Sequence, residues 1–193
     1  MQQGAAAFIA RFGVPDIVIA NAGISVGTLA DSADDLAAFR RVMDVNVYGM
    51  AASFQPFVAA MRERRRGSLA GIASVAGFRG LPGAAAYSAS KSAVITYLES
   101  LRTELHGSGV SVTTICPGYV RTPMTAINPY PMPFIIDADD AARRFARAID
   151  AKRRFVVVPW QMGVVGVLLR LLPRWLFEKL FAGAPRKPRN LPL

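Results

Sequence analysis

Short apolar runs alternate along this chain with longer stretches of helical periodicity. "DIVIANAG" (16–23), "SLAGIAS" (68–74), "VSVTTICPG" (110–118) and "RFVVVPW" (154–160) read as four strands. None alternates apolar and polar positions as a strand with one wet face does, so each is predicted to be covered on both faces. Helical patterns run over 34–66, 84–105 and 138–149; the first divides around Asn46, and Asp137 stands as an N-cap before the last. Strands joined by crossover helices predict an α/β fold, a doubly wound parallel sheet with helices on both faces. "FRGLPG" (78–83) and the four-proline stretch 119–134 read as loops. Beyond Trp160 come apolar helical turns on either side of Pro173, then "APRKPRNLPL", whose composition predicts disorder. The pattern therefore divides into a sheet domain over 1–160 and a helical C-terminal extension with a tail over 161–193.

Composition changes this picture little: 193 residues, 52% of them apolar, suit one domain with a real core. Cys116 is the single cysteine and lies in a strand, so it reads as a small buried hydrophobe. With only His106 beside it as a soft ligand, no metal site is expected. Charge says more. The formal net charge of +10 sits mostly in residues 151–193, with nine Lys/Arg against one Glu. That region is also apolar and aromatic, which points to an anionic membrane surface or an acidic partner before nucleic acid, or else to helices that pack on the sheet or on a second subunit. The longest uncharged run, Phe155 to Leu169, is fifteen residues, short of the roughly 20 that a spanning helix needs. "MQQGAAAFIARFG" lacks the pattern of a secretory leader. A cytoplasmic chain, peripheral to a membrane, is the expectation.

The chemistry starts at "YSASK" (87–91). Tyr87 and Lys91 stand four residues apart on a predicted helix and so share a face. A free tyrosine has a pKa near 10; a neighbouring ammonium favours phenolate and lowers it. A phenol so tuned can pass a proton to or from a substrate oxygen. Ser88, Ala89, Ser90, Ser92 and Ala93 keep the surrounding helix surface low, so that another body can approach. Ser74 ends the second strand thirteen residues earlier and offers a hydroxyl to a substrate oxygen or a cap to a turn. Asn46 lies inside a helical pattern, where an amide needs a partner. "NAG" (21–23) and "PGYVRT" (117–122) are turns at strand ends against which a flat ligand could lie.

The ordered set "NAG", "DVNVYG", Ser74, "YSASK" and "CPGYVRTPM" resembles the short-chain dehydrogenase/reductase (SDR) family. The resemblance implies a Rossmann sheet, NAD or NADP as cofactor, and hydride transfer between the nicotinamide and a carbonyl or alcohol carbon. It implies Tyr87 as general acid/base, Lys91 as the group that tunes it and bonds the nicotinamide ribose, and Ser74 as polariser of the substrate oxygen. It implies Asn46 as holder of a relay water. Asn21, Ala22 and Gly23 would border the cofactor; Pro117, Gly118, Val120 and Thr122 would flank its nicotinamide. Met124, Ile127, Tyr130, Met132 and Phe134 are apolar candidates for lining a pocket for a small, apolar, lipid-like carbonyl or alcohol. Helices 34–66 and 84–105 would form a homo-oligomer.

One family element is not in these residues. No TGxxxGxG turn, the cradle that holds a pyrophosphate at a helix N-terminus, occurs in the sequence. The expectation is thus an incomplete Rossmann fold with its N-terminal strands missing and "DIVIA" as a bare edge. Dinucleotide binding by this chain alone is expected to be weak. The alternative is a catalytically inactive family member that serves as an interaction or dimerisation module.

Overall fold

The computed structural model of the chain describes residues 1–189. Helix α1 (Gln2–Phe12) leads into strand β1 (Ile17–Ala20). Helices α2 (Asp35–Met43) and α3 (Gly49–Glu63) follow, then β2 (Gly67–Ile72), α4 (Ala85–Glu104) and β3 (Val110–Pro117). A small excursion holds β4 (Val120–Arg121), α5 (Pro123–Ala126) and β5 (Ile136–Asp137). The chain ends with α6 (Ala138–Asp150), β6 (Phe155–Val158), α7 (Trp160–Leu171) and α8 (Arg174–Phe181).

The four predicted strands form one parallel sheet in the order β1-β2-β3-β6, with Leu69 opposite Val18 on one side and Val112 on the other. This is the α/β, Rossmann-like arrangement that the pattern predicted. Each crossover returns over a helix, and the apolar strands feed two layers. Leu69, Val112 and Cys116 pack with Phe54, Met61, Val94 and Leu98 of α3 and α4. Ala70 and Ile115, on the opposite face, pack with Ile149 of α6. Fully burying side chains of this size contributes about 1.5–3 kcal/mol each.

Coverage on both faces holds for β2 and β3 and fails for β1. Ile17 and Ile19 are 44% and 53% exposed. Helix α6 packs on β3 and β6, and among the described residues nothing comparable covers the outer side of β1.

Three local features depart from the pattern. The predicted break near Asn46 is a π-helical turn over Asp44–Tyr48, flanked by residues in right-handed helical conformation, so α2 and α3 stay joined. Such turns insert a residue into a helix without ending it and favour functional sites. The stretch 119–134 holds α5, whose Pro123 is pre-set for a first helical turn and whose Thr125 hydroxyl accepts from Thr122 N–H at 3.0 Å. Finally, residues 184–189 of the tail are not a free coil. Pro188 carbonyl accepts from Gly27 N–H at 2.8 Å. The Arg189 guanidinium donates to the buried Asp35 carboxylate at 2.9 and 3.2 Å. A charged partner 154 positions away cannot be read from local composition, which is why disorder was the expectation. That expectation for residues 190–193 lies outside the described residues.

Candidate active site

The carboxyl ends of β1, β2 and β3 open onto a cavity of about 580 Å³. Asn21, Ala22 and Gly23 line it from β1; Ser74 stands at the end of β2; Pro117 and Gly118 follow β3. Tyr87 and Lys91 enter from α4, and Val120, Thr122 and Met124 from the excursion. A second cavity of about 290 Å³ shares Ser74, Tyr87, Gly118 and Met124 with the first and extends toward α7, α8 and the tail. Tyr87 and Ser74 thus stand at the junction of two compartments.

Helix α4 starts where it does because Thr28 reaches across from the loop after β1. Its hydroxyl accepts from Ala86 N–H at 3.1 Å, satisfying one of the helix's otherwise unpaired donors. From that start the buried face carries Ala86, Ser90, Lys91, Val94 and Leu98. Lys91, 4% exposed, donates from Nζ to the Ile72 carbonyl at 2.8 Å. The same Nζ lies 5.7 Å from the centroid of the Tyr87 ring. Burial pulls Lys91 down to about 8.

Tyr87 differs from the sequence-based expectation. Its pKa is raised, not lowered: burial is the dominant cause, and a hydrogen bond with Ser74 only partly opposes it. Lys91 therefore does not overcome desolvation in this arrangement, and the phenol keeps its proton at neutral pH. A phenol in that state can donate a proton but not accept one. Ser74 both caps and faces the cavity: its Oγ accepts from Ala76 N–H at 3.1 Å, leaving its own proton to donate.

Asn46 is fully buried. Its Oδ1 accepts from Ile24 N–H at 2.8 Å, and its Nδ2 donates to Ile24 carbonyl at 3.0 Å and to Ser90 Oγ at 2.9 Å. It braces the 21–24 turn against α4 and does not line either cavity. Cys116 is buried with its thiol pushed up to about 12, burial being the main cause, so it stays a neutral hydrophobe.

The approach of the 75–77 turn to α4 requires a glycine. A Cβ on Gly77 would stand 2.7 Å from the Lys91 carbonyl carbon. Gly77→Val is expected to lower stability by about 1–3 kcal/mol through overpacking, read as a lower urea midpoint at unchanged m-value.

Eleven of the candidate residues meet around the larger cavity, and Tyr130 lines the smaller one. Ile127 and Phe134 face solvent instead, at 43% and 50% exposure. The Met132 sulfur accepts from Asn128 Nδ2 at 3.6 Å and lies off both walls. The smaller cavity is lined in their place by Met162, Val165, Leu169, Phe181 and Lys187, which sequence reasoning did not assign. One signal for α7 was present: Gly166 stands where a Cβ would run into the Phe78 ring, and its small size lets the helix close over the site. Lys187 had no local signal at all.

Residues 1–129 match the family model described as short chain dehydrogenase. The chain belongs to that family. It is 43% identical over 169 residues to an uncharacterized oxidoreductase of Myxococcus xanthus (strain DK1622), covering 88% of this chain and 66% of that protein. It is 34% identical over 200 residues to dehydrogenase/reductase SDR family member 7B of Bos taurus, covering 97% of this chain and 61% of that protein. The chain spans somewhat less than two thirds of the length of these relatives. In fold it is similar to a short chain dehydrogenase from Burkholderia cenocepacia J2315 solved in complex with NADP, with TM-score 0.80 at 24% identity, covering 94% of this chain and 74% of that one.

Proposed function

We propose that this protein is an NAD(P)-dependent oxidoreductase that reduces a carbonyl, or oxidises the corresponding secondary alcohol, with Tyr87 as the proton-transferring group. The observation that carries this reading is the convergence of Tyr87, Ser74 and Lys91 on one cavity at the strand ends. An interaction module has no use for a buried ammonium, a serine donor and a neutral phenol in one cleft, so the enzymatic reading is preferred over the non-catalytic one.

The larger cavity fits the nicotinamide end of a dinucleotide. Asn46 Oδ1 and Lys91 Nζ both come within 3.4 Å of where a Cβ on Gly23 would stand, so the glycine lets the 21–23 turn close onto Lys91 at the edge of the cavity. Asn21, Ala22, Gly23, Lys91, Pro117, Gly118, Val120 and Thr122 would hold that end. Bound there, the nicotinamide supplies or accepts the hydride. The residues of this chain do the rest. Ser74 donates to the substrate oxygen and orients it. Tyr87 delivers the proton to that oxygen as it gains negative charge. Lys91, a cation at neutral pH with its pKa near 8, favours the phenolate left behind.

The test follows NADH and NADPH oxidation at 340 nm with the natural protein and a panel of apolar ketones. Turnover lost in Ser74→Ala by about 10²- to 10³-fold, the scale of removing one oxyanion donor, supports the reading. Undiminished turnover overturns it. The Lys91 charge disappears as pH rises through about 8, so the rate is expected to decline above that pH, with an apparent pKa near 8 in kcat/KM.

We further read helices 34–66 and 84–105 as the faces of a homo-oligomer, and the C-terminal helices as a peripheral membrane contact. Among the described residues no helix is long and apolar enough to cross a membrane. Yet Val164, Val167, Leu168, Leu171, Trp175 and Leu180 are all largely exposed, with Arg170, Arg174 and Lys179 among them. A basic, apolar surface of this kind suits an anionic interface. Leu168→Glu/Leu171→Glu is expected to abolish flotation with anionic liposomes while leaving the protein folded; equal flotation of both forms would remove the membrane reading.

A further inference from the structure

The smaller cavity has an apolar body and an unbalanced charge. Met162, Val165, Leu169 and Phe181 form much of its wall, and no Asp or Glu lines it. Two cations do, Arg79 and Lys187. Arg79 is already engaged: it donates to the Leu172 carbonyl at 3.2 Å and lies 4.5 Å over the Phe177 ring. Lys187 is different. It is 9% exposed, its Nζ lies 5.9 Å from the centroid of the Tyr87 ring, and among the described residues it forms no salt bridge.

A lysine in this position is costly, because a buried charge without a partner is unfavourable. Burial alone pulls its pKa below the ordinary lysine value, with no carboxylate opposing the shift. Yet the chain holds it there firmly. On one side Arg186 packs against Gly83, and on the other Pro188 and Arg189 are tied to Gly27 and Asp35. Gly27 has no room for a side chain, since a Cβ would run into the Lys187 carbonyl. The strap therefore fixes, beside Tyr87 and on the opposite compartment from Lys91, an ammonium with no carboxylate partner among the described residues.

We propose that Lys187 is the anion-recognition residue of the substrate cavity, and that this cavity takes a carbonyl or alcohol substrate bearing a carboxylate on an apolar chain. Arg79 already spends a donor on the Leu172 carbonyl, whereas the Lys187 ammonium has no hydrogen-bond partner among the described residues and is the donor left for a negative charge; the apolar walls match the chain. At about 290 Å³ the space lies near the small end of ligand sites, which suits a medium-length chain. The proposal rests on reading this cavity as the substrate side of the oxidoreductase site.

The test measures binding without cofactor, so it does not depend on turnover. Octanoate, octanol and octyl phosphate are titrated calorimetrically into the 193-residue chain, into Lys187→Met and into Lys187→Arg. Octanoate is expected to bind the unaltered chain about tenfold or more tighter than octanol, the scale of one hydrogen bond to a charged group. Lys187→Met should remove that preference while octanol affinity stays within about twofold, which also shows the cavity intact; Lys187→Arg should keep it. The proposal is overturned by equal binding of octanoate and octanol to the unaltered chain, by a preference that survives in Lys187→Met, or by octyl phosphate binding markedly tighter than octanoate. Failure of the oxidoreductase reading would instead appear as absent dinucleotide-dependent turnover with the octanoate preference unchanged.

Discussion

Tyr87→Phe is expected to lower turnover of the natural protein by about 10²- to 10⁴-fold while leaving its stability and dinucleotide affinity nearly unchanged. The range is that of one positioned acid–base group. It corresponds to about 3–5 kcal/mol of barrier. The substitution removes one oxygen and keeps the ring that fills the junction between the two cavities. Burial holds the Tyr87 proton in place, so the phenylalanine variant lacks a donor and gains no compensating charge. The loss should fall on kcat and not on KM, because a neutral phenol contributes most once the substrate oxygen becomes basic. Combining Tyr87→Phe with Ser74→Ala should cost little more than the worse single change, since both act on the same oxygen. Turnover within a few-fold of the unaltered protein would refute the role given to Tyr87. Lys91→Ala offers a contrast: it empties a buried position and removes the Ile72 contact, so it should impair both binding and rate.

Much of this site was legible because its parts are local. Tyr87 and Lys91 share a helix face by spacing alone, and Asn21–Gly23, Ser74 and Pro117–Gly118 each end a strand whose apolar run is unmistakable. Parallel strands bring their carboxyl ends to one edge, so finding the strands finds the site. What escaped was set by long-range contacts or by backbone direction. Lys187 reaches Tyr87 from 100 positions away by way of Asp35 and Gly27. Phe134 was a reasonable lining candidate by size, but it sits at a φ of +57° within a proline-rich stretch and emerges into solvent. The π-helical turn at Asn46 could not be told from a break, because both interrupt the 3.6-residue pattern. Tyr87 does line both cavities, but burial raises its proton affinity where the neighbouring charge alone predicts a fall. The sequence shows the neighbouring charge and hides the depth of burial, which decides the direction.

Asn46→Ala is expected to cost about 3–6 kcal/mol of stability, more than most single substitutions. Three hydrogen bonds end on this fully buried amide. Removing it strands Ile24 N–H and Ile24 carbonyl and withdraws a donor from Ser90. Buried polar groups left without partners cost about 1–3 kcal/mol each. Against a typical total of about 5–15 kcal/mol, the loss should lower Tm by roughly 10 °C or more. Activity should fall as well, through position and not chemistry. Ser90 Oγ accepts from Asn46 and donates to the Tyr87 carbonyl at 2.8 Å, so the amide fixes the register of the helical turn that carries Tyr87. Asn46→Asp separates the two effects, since it keeps the shape and replaces the donor by an acceptor. Its carboxylate would face Ile24 carbonyl and a Ser90 hydroxyl whose proton is already committed. Ile24 N–H and the nearby Lys91 ammonium pull toward the carboxylate, but full burial and those acceptors outweigh them, so its folded-state pKa should lie above the ordinary aspartate value. The protonated carboxyl can donate as the amide does; its stabilising contribution is present at low pH and is lost as pH rises through that raised pKa. Measured against the unaltered protein in urea, Asn46→Asp should therefore be markedly less destabilised at pH 5 than at pH 8, while Asn46→Ala shows no such recovery. A deficit in Asn46→Asp that does not change with pH would mean that the amide acts only by filling space.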